Sequence, residues 1–327
     1  MNVINLLKNN VKRIMSQKAI IIVAVIVVPI MIALGVLFSS KAQPKAQIAL
    51  VTNRNKTFPK NDKVQIDVMS KKPVKSKLLL SEYAAIVEEK SDGSYKVTTL
   101  KNKEDKNKIE EFFKGGKITE TQKDKENERG AGTNILGFIT MIILMQGVAL
   151  MILFTEDKSL NTFKRIMTAP VSEGQYISAQ GIFTFLGLYI PSYIAVAVTK
   201  VFFCVDIGFD LPMLALLIGI LSLLSTAFAL FLSSAIERET SMAATGIYFV
   251  TSILAGCFIS FTGNNKILDT ICNIIPQKAY MTMSQGIENG SSIFKFKGEL
   301  IYLIVWIIAL WFLGSFITNK KVKQGAY

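Results

Sequence analysis

The chain has 327 residues and not one histidine. That absence excludes a Ser-His-Asp or Cys-His nucleophile system, histidine metal ligands and a histidine proton shuttle. Cysteine is scarce too: Cys204, Cys257 and Cys272 are far apart and form no CxxC. A zinc ribbon, an iron–sulfur site and a disulfide framework are therefore not expected. Charge is the third shortage. Only 19% of residues are charged while 50% are hydrophobic, and the mean hydropathy is +0.40. A soluble domain of this length carries more charge than that. The apolar residues fall in runs of about twenty, which is membrane-spanning length. The net charge of +13 does not point to nucleic acid. The lysines lie in the tails and one polar segment, and no nucleic-acid module signature accompanies them.

Residues 1–18 carry Lys8, Lys12, Arg13 and Lys18 and no acid. Val3, Ile4, Leu7, Val11, Ile14 and Met15 recur at helical spacing, with Asn5, Asn9 and Lys12 opposite. The pattern predicts a basic amphipathic helix lying on an anionic membrane surface, with a plain polar tail as the alternative. Residues 19–38 form an unbroken apolar run. At ~1.5 Å per residue it reaches roughly 30 Å, the thickness of the hydrocarbon core. Ser40-Lys41-Ala42 faintly resembles a cleavage site, but signal-peptide cores are usually about 7–15 residues. An uncleaved anchor is expected.

Residues 41–133 differ in kind, with 19 Lys, 2 Arg and 14 acidic residues. Strands are predicted at 47–52, 64–69, 84–88 and 95–100, and a helix over 103–114 ended by Gly115-Gly116. This reads as a small α/β domain, with a polar stalk over 119–132.

Five more apolar runs follow, at about 134–155, 176–199, 211–235, 241–262 and 300–318. With the first they make six spans, so both termini lie on one side. The basic N-terminal tail, and Lys320, Lys321 and Lys323 in the C-terminal tail (319–327), place that side in the cytoplasm by the positive-inside rule. The 41–133 segment is then extracytoplasmic. Pro29 and Pro191 are expected to kink their spans, and Asp210 with Pro212 predicts a helix start. Ser225/Ala229 and Ser241/Thr245 are small pairs that permit close helix packing. Trp306 and Trp311 lie inside the last span, where core or subunit contacts are expected.

The segment 156–175, EDKSLNTFKRIMTAPVSEGQ, is the longest internal cytoplasmic loop on this reading. Leu160, Phe163 and Ile166 would line one face of a short helix, with Lys158, Lys164 and Arg165 near it and Pro170 ending it. Such a helix can dock into a groove on a soluble partner, or rest on lipid headgroups. The order Glu156-Asp157-Lys158, then Thr162-Phe163-Lys164-Arg165-Ile166-Met167, then Pro170-Val171-Ser172 resembles the coupling-loop pattern of ABC-2 transporter permeases. The six-span layout and the external domain after span one are similar as well. Asn161 stands where that family usually has glycine.

The resemblance implies an α-helical integral membrane protein, a six-helix bundle like that of type V ABC exporters. It implies an interface helix over 6–18 bearing Lys8, Lys12 and Arg13, and a coupling helix within 156–170. That helix would act through Leu160, Asn161, Thr162, Phe163, Arg165, Ile166 and Pro170, with Glu156 tying it to the bundle. It also implies re-entrant helices within the external loop 263–299. Partners would be two copies of a cytoplasmic ABC ATPase and a second permease copy or paralogue. The cofactors, ATP and Mg, would be bound by the ATPase. This chain lacks a P-loop: Gly115-Gly116-Lys117 is followed by Ile118, without the first glycine or the hydroxyl of GxxxxGK[ST]. The cargo would be amphipathic or hydrophobic: a peptide, an antibiotic or a lipid-like molecule. No span carries a charge between its ends, which disfavours ion-coupled transport and an intramembrane protease. Gln146 and Gln180 could line a pathway or dimer core, or simply bond to backbone, and the structural reading is preferred. The remaining alternative is a non-transporting scaffold or receptor working through its external domain.

Overall fold

In the computed structural model, the residues described are 3–16, 22, 26–41, 46–52, 64–69, 73, 83, 85–89, 95–99, 103–115, 130–160, 162–168, 171–236, 240–258 and 266–324. The chain divides into two compact units. One comprises Met1–Phe38 with Arg129–Tyr327, and the other is Ser39–Glu128.

The smaller unit has four strands, β1 (Ala46–Val51), β2 (Val64–Met69), β3 (Ala85–Glu89) and β4 (Tyr95–Thr98). All four fall within two residues of the segments predicted as strands. The sheet order is β2-β1-β3-β4, parallel except for the antiparallel β3–β4 pair. Ile48, Leu50, Ala85, Val87 and Val97 make one apolar cluster with Phe112 and Phe113. The two phenylalanines come from the helix Lys103–Gly115 (α3), whose apolar residues cluster on one side. Ala49, Tyr83 and Ile86 form a separate cluster, as period-two side chains on opposite faces require.

The larger unit is helical. It contains α1 (Val3–Ser16), α2 (Val28–Lys41), α4 (Ala131–Leu150), α5 (Ile152–Ser159), α6 (Thr162–Met167), α7 (Glu173–Phe202), α8 (Leu211–Ala235), α9 (Thr240–Leu254), α10 (Lys266–Asn273), α11 (Pro276–Glu288) and α12 (Lys297–Lys323). Among the described residues four helices are long and apolar enough to cross a membrane: Ala131–Ser159, Glu173–Phe202, Leu211–Ala235 and Ile293–Lys323. Val28–Leu37 and Thr240–Leu254 are apolar but shorter. They fall in the first and fifth runs, parts of which lie outside the described residues.

α4 and α8 sit at the centre. Of the most apolar stretch of each candidate span, 78% is buried for Ala131–Ser159, against 17% for Ile293–Lys323. The outer helices instead show apolar side chains outward, among them Ile190 and Ile194 on α7 and Ile308 and Phe312 on α12. Water would not tolerate so large a contiguous apolar surface, whereas lipid does. Small residues let the central helices approach. Ser225 Oγ donates to Ile143 O at 2.7 Å, and a Cβ at Gly147 would overlap that same hydroxyl. The Ser225/Ala229 pair thus sits at a helix crossing. Ser241/Thr245 does not: both are exposed, and Thr245 bonds back to Ser241 O within its own helix. Trp311 packs on Gly181 and Trp306 stacks on Phe228 at 6.2 Å, so both tryptophans make contacts within the chain.

Helix starts follow their local chemistry. Ser172 caps α7 in a capping box with Gln175, each side chain bonding the other's backbone N–H. That gives the Ser of the Pro170-Val171-Ser172 string a physical reason. Asp210 stands at the N-cap of α8 with Pro212 just inside, but its side chain makes no cap bond.

Candidate functional site

The apolar span α4 turns at Met151 and continues as α5, carrying Glu156-Asp157-Lys158 on its last turn. These three charges meet three other helices, and a fourth joins through the end of α8. Arg13 of α1 donates from Nη1 to both oxygens of Asp157, at 2.9 and 3.0 Å, and from Nη2 to Glu156 Oε2 at 3.2 Å. Tyr176 of α7 donates its hydroxyl to Asp157 Oδ2 at 2.6 Å. Lys158 donates to Ser233 O in the last turn of α8 and lies 4.6 Å from the Phe154 ring centroid. Lys321 of α12 donates to Ser234 O, the next carbonyl, at 3.1 Å. Two ammonium groups therefore meet the negative end of the α8 dipole. Asp157 is only 2% exposed. A carboxyl group so desolvated needs well-placed partners, and here Arg13 and Tyr176 supply them.

The short helix α6 rests on this cluster through one side chain. Phe163 is 1% exposed. Its ring lies 5.1 Å from Tyr176 and 6.1 Å from Phe154, edge-on to both. The apolar face predicted for 160–166 is thus divided. Phe163 points into the bundle, Thr162 and Ile166 are half-buried, and Leu160 is 69% exposed. Lys164, Arg165 and Thr168 are exposed beside Leu160. A buried aromatic anchor therefore carries an exposed patch of one leucine and two cations. Asn161 and Pro170 lie outside the described residues.

α1 has three faces. Leu6, Asn10 and Ile14 are buried, while Ile4, Val11 and Met15 are exposed and apolar. Lys8 and Lys12 are exposed and follow next around the wheel, as in a helix wedged between protein, lipid and water. Arg13 departs from the basic-face expectation. Its side chain turns inward to the carboxylates, because two of them are within reach and partly shielded from water. Asn10 Nδ2 donates to Gln180 Oε1 at 2.8 Å, and Gln180 Nε2 donates to Leu150 O at 3.2 Å. Gln180 thus bridges α1 and α4. Gln146 is buried, and among the described residues its amide nitrogen has no hydrogen-bond partner.

Sequence reasoning missed Asp157, Lys158, Tyr176 and Lys321. A signal for two of them existed: Glu156-Asp157-Lys158 breaks off a long uncharged run, so at least one of the three had to face the bundle end. Among the described residues no group of three His, Cys, Asp or Glu could hold a metal ion.

A family model described as "ABC-2 family transporter protein" matches residues 18–316. No curated protein matches the chain.

Proposed function

We propose a function from one premise: the chain belongs to the ABC-2 family of transporter proteins. It is the membrane subunit of an ATP-driven exporter in a bacterial plasma membrane, with six spans, both termini in the cytoplasm and the Ser39–Glu128 unit outside. Two ATPase subunits bind ATP and Mg and dock beneath it, and a second permease copy or paralogue completes the complex. The cargo is amphipathic or hydrophobic. Met242, Thr245 and Phe249 of α9 are exposed, and that face suits either lipid or the second copy.

The observation that carries this reading is the joining of α1, α5, α7, α8 and α12 around Asp157 and Lys158, with α6 anchored on it by Phe163. An ATPase that engages Leu160, Lys164 and Arg165 would move α6 as a rigid lever. Phe163 would pass that displacement to α5 and α7, since packed aromatic contacts transmit movement without absorbing it. Arg13 would draw the interface helix along.

The test is co-purification of the tagged subunit with the ATPase encoded beside it. Recovery of the ATPase with wild type, and its loss with the pair Leu160→Asp and Arg165→Glu, is the expected result. Recovery unchanged by that pair would overturn the docking role of this surface. Recovery of an external partner and no ATPase would favour the scaffold reading and direct attention to the α/β unit.

A further inference from the structure

At the end of the bundle away from α6, the hairpin of α10 and α11 meets the start of α12 around a cleft of about 400 Å³. Its polar lining is Asn273, Lys278, Thr282, Glu299 and Tyr302. Lys278 and Glu299 are both half-buried, yet their side chains form no ion pair with each other or with any described residue. Opposite charges that share a cleft without meeting leave room for a ligand that carries both.

Position narrows the ligand class. Glu299 lies in the first turn of α12, and Lys320, Lys321 and Lys323 lie in its last. The apolar stretch between them is roughly 30 Å long at ~1.5 Å per residue, so the cleft stands at headgroup depth. Tyr302 fits that depth, its ring edge-on to Trp306 at 6.4 Å and its hydroxyl donating to Ile274 O at 2.6 Å. Ile274, next to Asn273, and Val305, one turn beyond Tyr302 on α12, are exposed, an apolar margin that acyl chains would cover. A soluble zwitterion would leave that margin bare.

We propose that this cleft binds the zwitterionic headgroup of a membrane phospholipid, its phosphate on Lys278 and its primary ammonium on Glu299, with the acyl chains along α12. The proposal needs membrane residence and no ATPase, so it stands or falls apart from the coupling reading.

The full-length subunit would be purified in mild detergent and offered phosphatidylethanolamine, phosphatidylcholine and phosphatidylglycerol at equal concentration, with bound lipid read by native mass spectrometry. Phosphatidylethanolamine should be retained about fivefold over the others, since phosphatidylglycerol lacks a cation and a trimethylammonium cannot donate N–H to Glu299. Glu299→Gln should bring the ratio close to one, and Lys278→Met should lower retention of all three lipids, since each carries the phosphate. Equal retention of all three by wild type would overturn the proposal, and that comparison needs no variant to fold. So would a ratio untouched by Glu299→Gln, or retention untouched by Lys278→Met. Displacement of the lipid by soluble phosphoethanolamine at matching concentration would overturn the lipid assignment in favour of a free zwitterion.

Discussion

The helix Ala131–Ser159 is held by a carboxylate at each end, and the two are used differently. At its start, Glu288 of α11 accepts from Gly132 N at 2.7 Å and Thr133 N at 2.9 Å. The carboxylate neutralises two orphan donors and meets the positive end of the helix dipole. Gly130 and Gly208 leave room for it: a Cβ on either would crowd the Glu288 side chain, and Gly208 also has φ +70°. Roughly 40 Å away along the helix, Asp157 belongs to the helix itself and collects donors from two others. One end is a single side chain on a helix cap. The other is a buried network in which each partner satisfies the next. A single contact can be released without leaving a charge stranded, while a network resists partial opening. The difference marks the Asp157 end as the rigid one and the Glu288 end as the one that yields.

Substitutions that separate the two ends test this contrast, and Asp157→Ala should have the largest effect. It leaves Arg13 with Glu156 alone and the Tyr176 hydroxyl without its acceptor, and breaking a buried pair on one side costs about 3–5 kcal/mol. Thermal unfolding in detergent should show a large fall in midpoint, and a fall no greater than that of Glu288→Gln would erase the distinction. Phe163→Ala comes next. It removes the anchor of α6 and should cost about 3 kcal/mol, with the loss seen as faster hydrogen exchange in 160–168 rather than across α4. Exchange rising equally throughout the bundle would show that α6 is not a separable lever. Glu288→Gln should cost less, about 1–2 kcal/mol, because the amide oxygen still accepts one N–H while the charge and the second acceptor are lost. Leu160→Ala should leave stability within about 0.5 kcal/mol, since the side chain is exposed, yet weaken ATPase recovery. A clear destabilisation by that change would place Leu160 in the packing and not on the docking surface.

Much of this fold could be read from residue order. Short strand-like runs located all four strands, with clean alternation only at β4. The uncharged runs located the long helices, because only a run free of charge can be buried or face lipid. The charged segment 41–133 predicted a separate unit. The candidate site was legible in position and not in orientation. The 156–175 loop drew attention, but helical spacing assigned Phe163 the same direction as Leu160. Leu160 is the C-cap of α5 and Phe163 belongs to α6, so the two do not share one helix and the spacing carries no direction across the break. Arg13 was read with Lys8 and Lys12 for a related reason: a basic residue on an amphipathic helix looks alike whether it meets water or a carboxylate far away in the chain.

Sequence alone settles the helical class, the α/β insertion, the missing P-loop and the missing histidine. Each follows from local composition and period, which act over a few residues. Tertiary structure alone decided that Asp157 rather than Glu156 holds the network's centre, that Gln180 bridges α1 and α4, and that Lys158 and Lys321 close the end of α8. Those outcomes depend on which helix ends arrive side by side. That arrangement is set by small-residue crossings such as Gly147 on Ser225 and Gly181 under Trp311, where the partners are far apart in the chain and their contact leaves no local trace.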